Sequence, residues 1–187
     1  MRRKASCARR DGLASWARNS YHLVMSVEIV RHDAGKGFPT RKLKKIAQKI
    51  LELVGQHKAE LSVALVGNSE MQTLNERYKK KDSSTDVLAF PVEDRLGTEE
   101  RLLGDVVISV QKAKQQAKQA RRSLDEEMMA LLIHGVLHLL GYDHERSANE
   151  ARTMRRLEKR IYRRLCDEGM LEYNKLRTLR GPDQGMR

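Results

Sequence analysis

Residues 128–144 read MMALLIHGVLHLLGYDH, and the rest of the chain has to be folded around this stretch. Met128 to Leu140 is the longest apolar run in the sequence. It falls short of the roughly 20 residues that span a bilayer and is interrupted by His134 and His138, so it predicts a helix buried inside a domain. Half of the six histidines in the chain lie within eleven residues here, at 134, 138 and 144. The first two are four apart and project from one helix face, one turn above the other. Gly141 follows three residues after His138, where a helix can end through a left-handed residue that glycine adopts cheaply. The chain then doubles back and brings His144 to the same point. Three neutral imidazoles around one open position form the ligand set of a catalytic zinc site.

The spacing also matches the long zinc-peptidase pattern H-E-x-x-H-x-x-G-x-x-H at every ligand position. Where that pattern has its glutamate base, this chain has Gly135, so a peptidase would lack its usual proton acceptor. The plain alternative, helix histidines satisfied by hydrogen bonds, suits a lone histidine better than three at ligand spacing.

Outward from this stretch, Ser123 and Glu126 have the spacing of a capping box in front of the histidine helix. Ser147 and Glu150 repeat it and start a helix whose apolar stripe is Ala151, Met154, Leu157, Ile161 and Leu165. The many arginines on its other faces read as solvated before they read as functional. Gln111 to Ala120 is a polar helix ended by Arg121-Arg122. Towards the N-terminus, Ser26 to Val30 alternates as a strand does. Thr40 caps a helix to Gly55 with Leu43, Ile46, Ile50, Leu51 and Val54 on one face. Leu61 to Val66 is a second strand, and Asn68 or Ser69 opens a short helix carrying Met71, Leu74 and Tyr78. Residues 79–86 are loop-like, Val87 to Phe90 is a strand stopped by Pro91, Glu93 to Leu102 a charged loop, and Leu103 to Val110 a buried strand. No internal repeat is present. The sum is a single α+β domain, a small mixed β-sheet packed with helices, with a three-histidine metal site on a helix and the following turn.

A length of 187 residues suits one domain with a real core. Aromatics are 4% of the chain, so that core rests on Leu, Val, Ile, Ala and Met. The net charge of +12 points to a polyanionic partner, RNA or DNA being the commonest, although a basic surface also serves simple solvation. Cys7 and Cys166 lie at opposite ends, far in sequence from the histidines, which fits a reducing compartment rather than a disulfide scaffold. Residues 1–25 carry six Lys/Arg against one Asp. Three readings of them are open: an organelle transit peptide, a basic arm, or sequence ahead of a true start at Met25. The arm and the misplaced start are favoured. The domain is expected over 26–170, with 171–187 a tail disordered at least from Leu179.

With these elements in place, the chain resembles the YbeY family of bacterial and organellar rRNA maturation factors, metal-dependent endoribonucleases. His134 to His144 agrees with that family's H-G-x-L-H-L-x-G-Y-D-H at every fixed position. Leu74-Asn75, Tyr78, Lys81-Asp82, Thr85-Asp86-Val87-Leu88 and Phe90-Pro91 resemble L-N-x-x-Y-R-x-K-D-x-P-T-D-V-L-S-F-P. Leu103-Gly104-Asp105 with its apolar strand resembles the family's sheet, so the likeness runs from Ser26 to Met170. Three positions depart: Lys79 stands for an arginine, Ser84 for a proline and Ala89 for a serine. The family's arginine faces the metal cleft and is tied to activity; lysine keeps the charge but loses the planar fork that holds a phosphate bidentately.

The resemblance implies a single-strand-specific endoribonuclease with one Zn2+ per chain on His134, His138 and His144, and Lys79, aided by Lys80 or Arg77, on the substrate phosphate. It implies RNA as partner, in the form of an rRNA precursor or the small ribosomal subunit, with no membrane and no small-molecule cofactor. The expected work is maturation of the 3′ end of small-subunit rRNA and ribosome quality control. The expected place is the cytoplasm, or an organelle if residues 1–25 are a transit peptide. Asp143 is open between orienting a ligand and bonding the turn backbone. Asp82 and Asp86 read as turn and capping residues, Tyr142 as packing, and Gly135 as a gap through which a substrate backbone approaches the metal. Two rival functions stand beside this one: a non-catalytic zinc-containing ribosome assembly factor, and a zinc metallopeptidase.

Overall fold

A computed structural model describes residues 26–171 apart from 36, 37, 81 and 93–100. The readings made for residues 1–25 and 172–187, and most of the charged loop at 93–102, fall outside the described residues. The elements are β1 (Ser26–Arg31), a short 3-10 turn (Asp33–Gly35), α1 (Thr40–Leu53), β2 (Ala59–Val66), α2 (Asn68–Lys79), β3 (Val87–Pro91), β4 (Arg101–Ser109), α3 (Val110–Gln119), α4 (Leu124–Leu139) and α5 (Ala148–Asp167). No helix among the described residues is long and apolar enough to cross a membrane.

The four strands make one mixed sheet in the order β1-β2-β4-β3, with β1, β2 and β4 parallel and β3 antiparallel to β4. Alternation along the strands divides the apolar residues between the two faces. Leu61, Val63 and Leu65 of β2 and Val106 and Ile108 of β4 join the main core with Leu43, Ile46 and Ile50 of α1 and Leu132, Val136 and Leu137 of α4. Val66, Leu88 and Val107 point the other way and meet Met71 of α2. α4 therefore lies in the middle, between the sheet and α5, whose Met154, Ile161 and Leu165 close the core from outside. The mixed α+β sheet covered by helices is the architecture expected from the sequence.

Several boundaries moved, each for a local reason. Thr40 is the first residue of α1 and not its cap; Pro39 takes the cap position without a side-chain bond. Gly67, not Asn68 or Ser69, precedes α2, and Asn68 Oδ1 instead accepts from Ser109 Oγ at 2.7 Å. Ser109 in turn caps α3, accepting from Lys112 N, so Val110 is helical rather than the end of a strand. β4 starts at Arg101, because Ala59 and Glu60 extend β2 to meet Arg101 and Leu102; a bulge at Leu103 then shifts the register. Gly104 has φ +129°, and a Cβ there would collide with the Phe90 carbonyl, so the glycine is required. The Ser123–Glu126 capping box forms in full, with bonds of 3.2 and 2.7 Å. At α5 the serine half forms, Ser147 Oγ accepting from Glu150 N at 3.1 Å.

Candidate metal centre

α4 presents His134 and His138 one turn apart and then stops in a Schellman turn. Gly141, at φ +87°, lets its N–H reach the His138 carbonyl at 2.9 Å, and the Tyr142 N–H reaches the Leu137 carbonyl at 3.1 Å. Nothing lies within 4 Å of where a Cβ at 141 would stand, so glycine is needed for its dihedral angle and not for space. The turn returns His144 to the end of the helix. The three rings sit edge-to-face with centroids 4.6, 5.1 and 5.3 Å apart, and one nitrogen from each lies within 4.8 Å of the others. His134 Nε2 and His138 Nε2 are 3.1 Å apart. The structure thus gathers the three histidines that the sequence singled out.

Their surroundings favour neutral, pre-set imidazoles. His134 is buried, and its Nδ1 lies 2.7 Å from Glu158 Oε1 of α5. With Nδ1–H donating to that carboxylate, the lone pair of Nε2 faces the other two rings. Burial above all, then the neighbouring His134 and His144, pushes His138 down to about 4, against the opposing charge of Asp143. His144 Nδ1 is buried with no hydrogen-bond partner, since Asp143 Oδ1 at 3.8 Å is too far. A buried orphan nitrogen, a histidine neutral to low pH and a carboxylate-oriented partner are what a metal ligand set requires.

Glu158 is the site residue that sequence reasoning missed. It stands four residues after Met154 and three before Ile161, a position of the apolar stripe. A carboxylate inside such a stripe was the available signal.

Asp143 is a turn residue: its Oδ1 accepts the Glu145 N–H at 2.9 Å and its Oδ2 faces Arg146 Nε at 3.3 Å. That backbone bond holds its carboxyl below the usual range. Asp82 accepts from Gln72 at 2.7 Å, and Asp86 ties the Val87 N–H to Gln116 of α3, at 2.9 Å each. Both are structural, as their sequence context indicated. Tyr142 stands in the turn and is 38% exposed. Gly135 is not a gap towards substrate. A Cβ there would stand 2.6 Å from Val106 Cγ1 and 3.3 Å from Val87 Cγ2, so the residue faces the sheet, not a substrate. The missing side chain lets α4 lie close against β4 and β3, and leaves no space for a glutamate of the peptidase kind.

Lys79 ends α2 as an exposed residue, and its charge is among those that lower His138. Lys80 takes the left-handed position after it, at φ 55°. The Arg77 guanidinium lies 5.5 Å over the Tyr78 ring, and Tyr78 meets Phe90 edge-on at 4.9 Å.

Residues 28–166, which include the three histidines and Glu158, match the family described as Endoribonuclease YbeY. The chain belongs to the YbeY family. It is 39% identical over 146 residues to the Endoribonuclease YbeY of Sulfurihydrogenibium sp. (strain YO3AOP1), which covers 78% of this chain and 93% of that protein. It is 43% identical over 124 residues to the Endoribonuclease YbeY of Aquifex aeolicus (strain VF5), covering 66% and 82%. A solution structure from Thermotoga maritima superposes with a TM-score of 0.52 at 24% identity, over 81% of this chain and 99% of that one. This last likeness bears on the fold alone. The His134–His144 cluster and the Glu158 that meets it lie within the matched residues.

Proposed function

We propose that this YbeY-family endoribonuclease cuts single-stranded RNA at a zinc centre held by His134, His138 and His144. Its proposed substrate is the 3′ end of a small-subunit rRNA precursor. The observation that carries the reading is the convergence of three imidazoles with nitrogens within 4.8 Å, one fixed from behind by Glu158, in a chain of an endoribonuclease family. Three nitrogen donors fit zinc and leave a coordination position open. Bound there, the metal would supply Lewis-acid polarisation and lower the pKa of a coordinated water towards about 7.

The chain's own residues do the rest. Glu158 accepts a hydrogen bond from the Nδ1–H of His134 and keeps the Nε2 lone pair available for a metal. Burial keeps His138 neutral down to about pH 4. Lys79 offsets charge on the non-bridging oxygens of the scissile phosphate, with less geometric control than a guanidinium would give. The nucleophile is either water or the 2′-hydroxyl of the substrate itself. Product ends separate the two: a 2′,3′-cyclic phosphate marks internal attack, and a free 3′-hydroxyl with a 5′-phosphate marks water.

Single strands are preferred because flexible backbone reaches half-buried histidines more easily than a duplex does. The basic surface adds sequence-independent, salt-sensitive affinity. The small ribosomal subunit or its precursor, in the cytoplasm, is the partner this reading assigns.

The test is incubation with an RNA carrying a single-stranded 3′ tail, beside a His138→Ala preparation made identically. Cleavage by the first alone supports the reading. Equal cleavage by both marks a contaminant, and metal-bound, RNA-bound protein that never cleaves supports a non-catalytic assembly factor instead.

A further inference from the structure

We infer that the solvent face of α5 is a docking surface for the phosphate backbone of RNA, distinct from the metal centre; this deepens the endoribonuclease reading and rests on it. On the helix, Arg152, Arg156, Lys159 and Arg163 follow the spacing four, three, four, which places them in one row opposite the buried Met154, Ile161 and Leu165. All four are exposed. At about 1.5 Å rise per residue the row is about 16 Å long. Among the described residues none of the four forms an ion pair, and Glu158, the acid in the middle of the helix, stands three or four residues from none of them and meets His134 instead.

Such a row costs the helix stability. Arg152 and Arg156, Arg156 and Arg160, and Lys159 and Arg163 are like charges at i,i+4, and Arg155–Lys159 and Arg160–Arg164 flank them. Each pair opposes helix formation, where an acid at one position would favour it. A helix kept soluble by charge alone would alternate signs. Six of the seven cations are arginine, the side chain suited to phosphate.

The chemistry favours RNA over an anionic membrane. None of the exposed large hydrophobic residues of the described chain lies on α5, so the face has nothing to insert into lipid. Arg155, three residues before Glu158, lies between the row and the flank that touches His134. RNA held on the row is thereby carried along the edge of the metal centre.

The experiment compares the full chain with its Arg152→Gln/Arg156→Gln/Lys159→Gln/Arg163→Gln variant. Binding to a long single-stranded RNA is measured across salt concentrations, together with cleavage of a short oligonucleotide at saturation. Loss of four contacts should lower the slope of log K against log salt by about 3, at ~0.7 per phosphate. Short-substrate cleavage should stay unchanged, and the melting temperature should rise as the like-charge pairs disappear. An unchanged slope overturns the proposal, as does a loss confined to anionic phospholipid vesicles. If the fourfold variant does not fold, Arg156→Gln/Arg163→Gln must still lower the slope by about 1.4. A wild-type protein that never cleaves but shows the slope change removes the endoribonuclease reading and leaves the docking surface standing.

Discussion

Glu158 reaches His134 from α5, a helix that supplies none of the three histidines. With the Nδ1–H of His134 donating to it at 2.7 Å, its carboxylate would make that ring a stronger metal ligand. Glu158→Gln keeps the shape but removes the charge, so zinc affinity, measured by chelator competition, should fall about 10- to 100-fold. An unchanged affinity would mean that the contact only packs α5 against α4. His138 gives a prediction of opposite character, in the metal-free protein. Its folded value of about 4 lies below the ordinary 6.5. Between those values the unfolded chain binds a proton that the folded chain refuses, so stability contributed by neutral His138 is full above 6.5 and is lost as pH falls towards 4. The melting temperature of the metal-free protein should therefore drop across this window. His138→Gln should drop less, and an equal drop would remove this histidine as the cause.

At the scale of elements, α4 carries the architecture, and Gly135 is its point of closest contact with the sheet. Gly135→Ala would drive a methyl into Val106 and Val87, overpacking a fitted contact at a cost of about 1–3 kcal/mol. Denaturant titration checks this, and cleavage at low temperature should survive. If the residue were instead an opening for substrate, the variant would keep its stability and lose its activity. This contrast shows where the sequence could be read and where it could not. The apolar run 128–140, the Ser123–Glu126 box, the histidine spacing and Gly141 all act within a few residues, so the buried helix, its start, its end and the gathering of its histidines are legible. The partners of Gly135 are Val106 and Val87, about thirty and fifty residues earlier in the chain, and no local pattern names them. Thr40 is not the cap because Pro39 already sets the entry to α1, and Arg101 reads as loop from its local sequence because its strand pairing depends on Ala59 across the sheet. Glu158 lay between these cases: its place in the stripe was visible, its partner was not.

At the scale of the molecule, the proposed metal centre is a joint. Two of the three histidines end α4, the third sits in the turn leading to α5, and Glu158 returns from α5 to the first of them. A metal bound to the folded state alone stabilises it by RT ln(1 + [L]/Kd), about 2.7 kcal/mol at a hundredfold excess over Kd. For a domain of this size each kcal/mol is worth about 2–4 °C, so zinc should raise the melting temperature by about 5–11 °C and a chelator should reverse it. Because the ligands span the α4–α5 turn, hydrogen exchange should slow most at 141–147 and in the first turns of α5, where the backbone is otherwise exposed. His144→Ala cuts the joint without disturbing α4, and should abolish both the thermal shift and the local protection while the metal-free melting temperature stays close to that of the parent. A thermal shift that persists in His144→Ala would place the binding elsewhere and remove this site as the zinc centre.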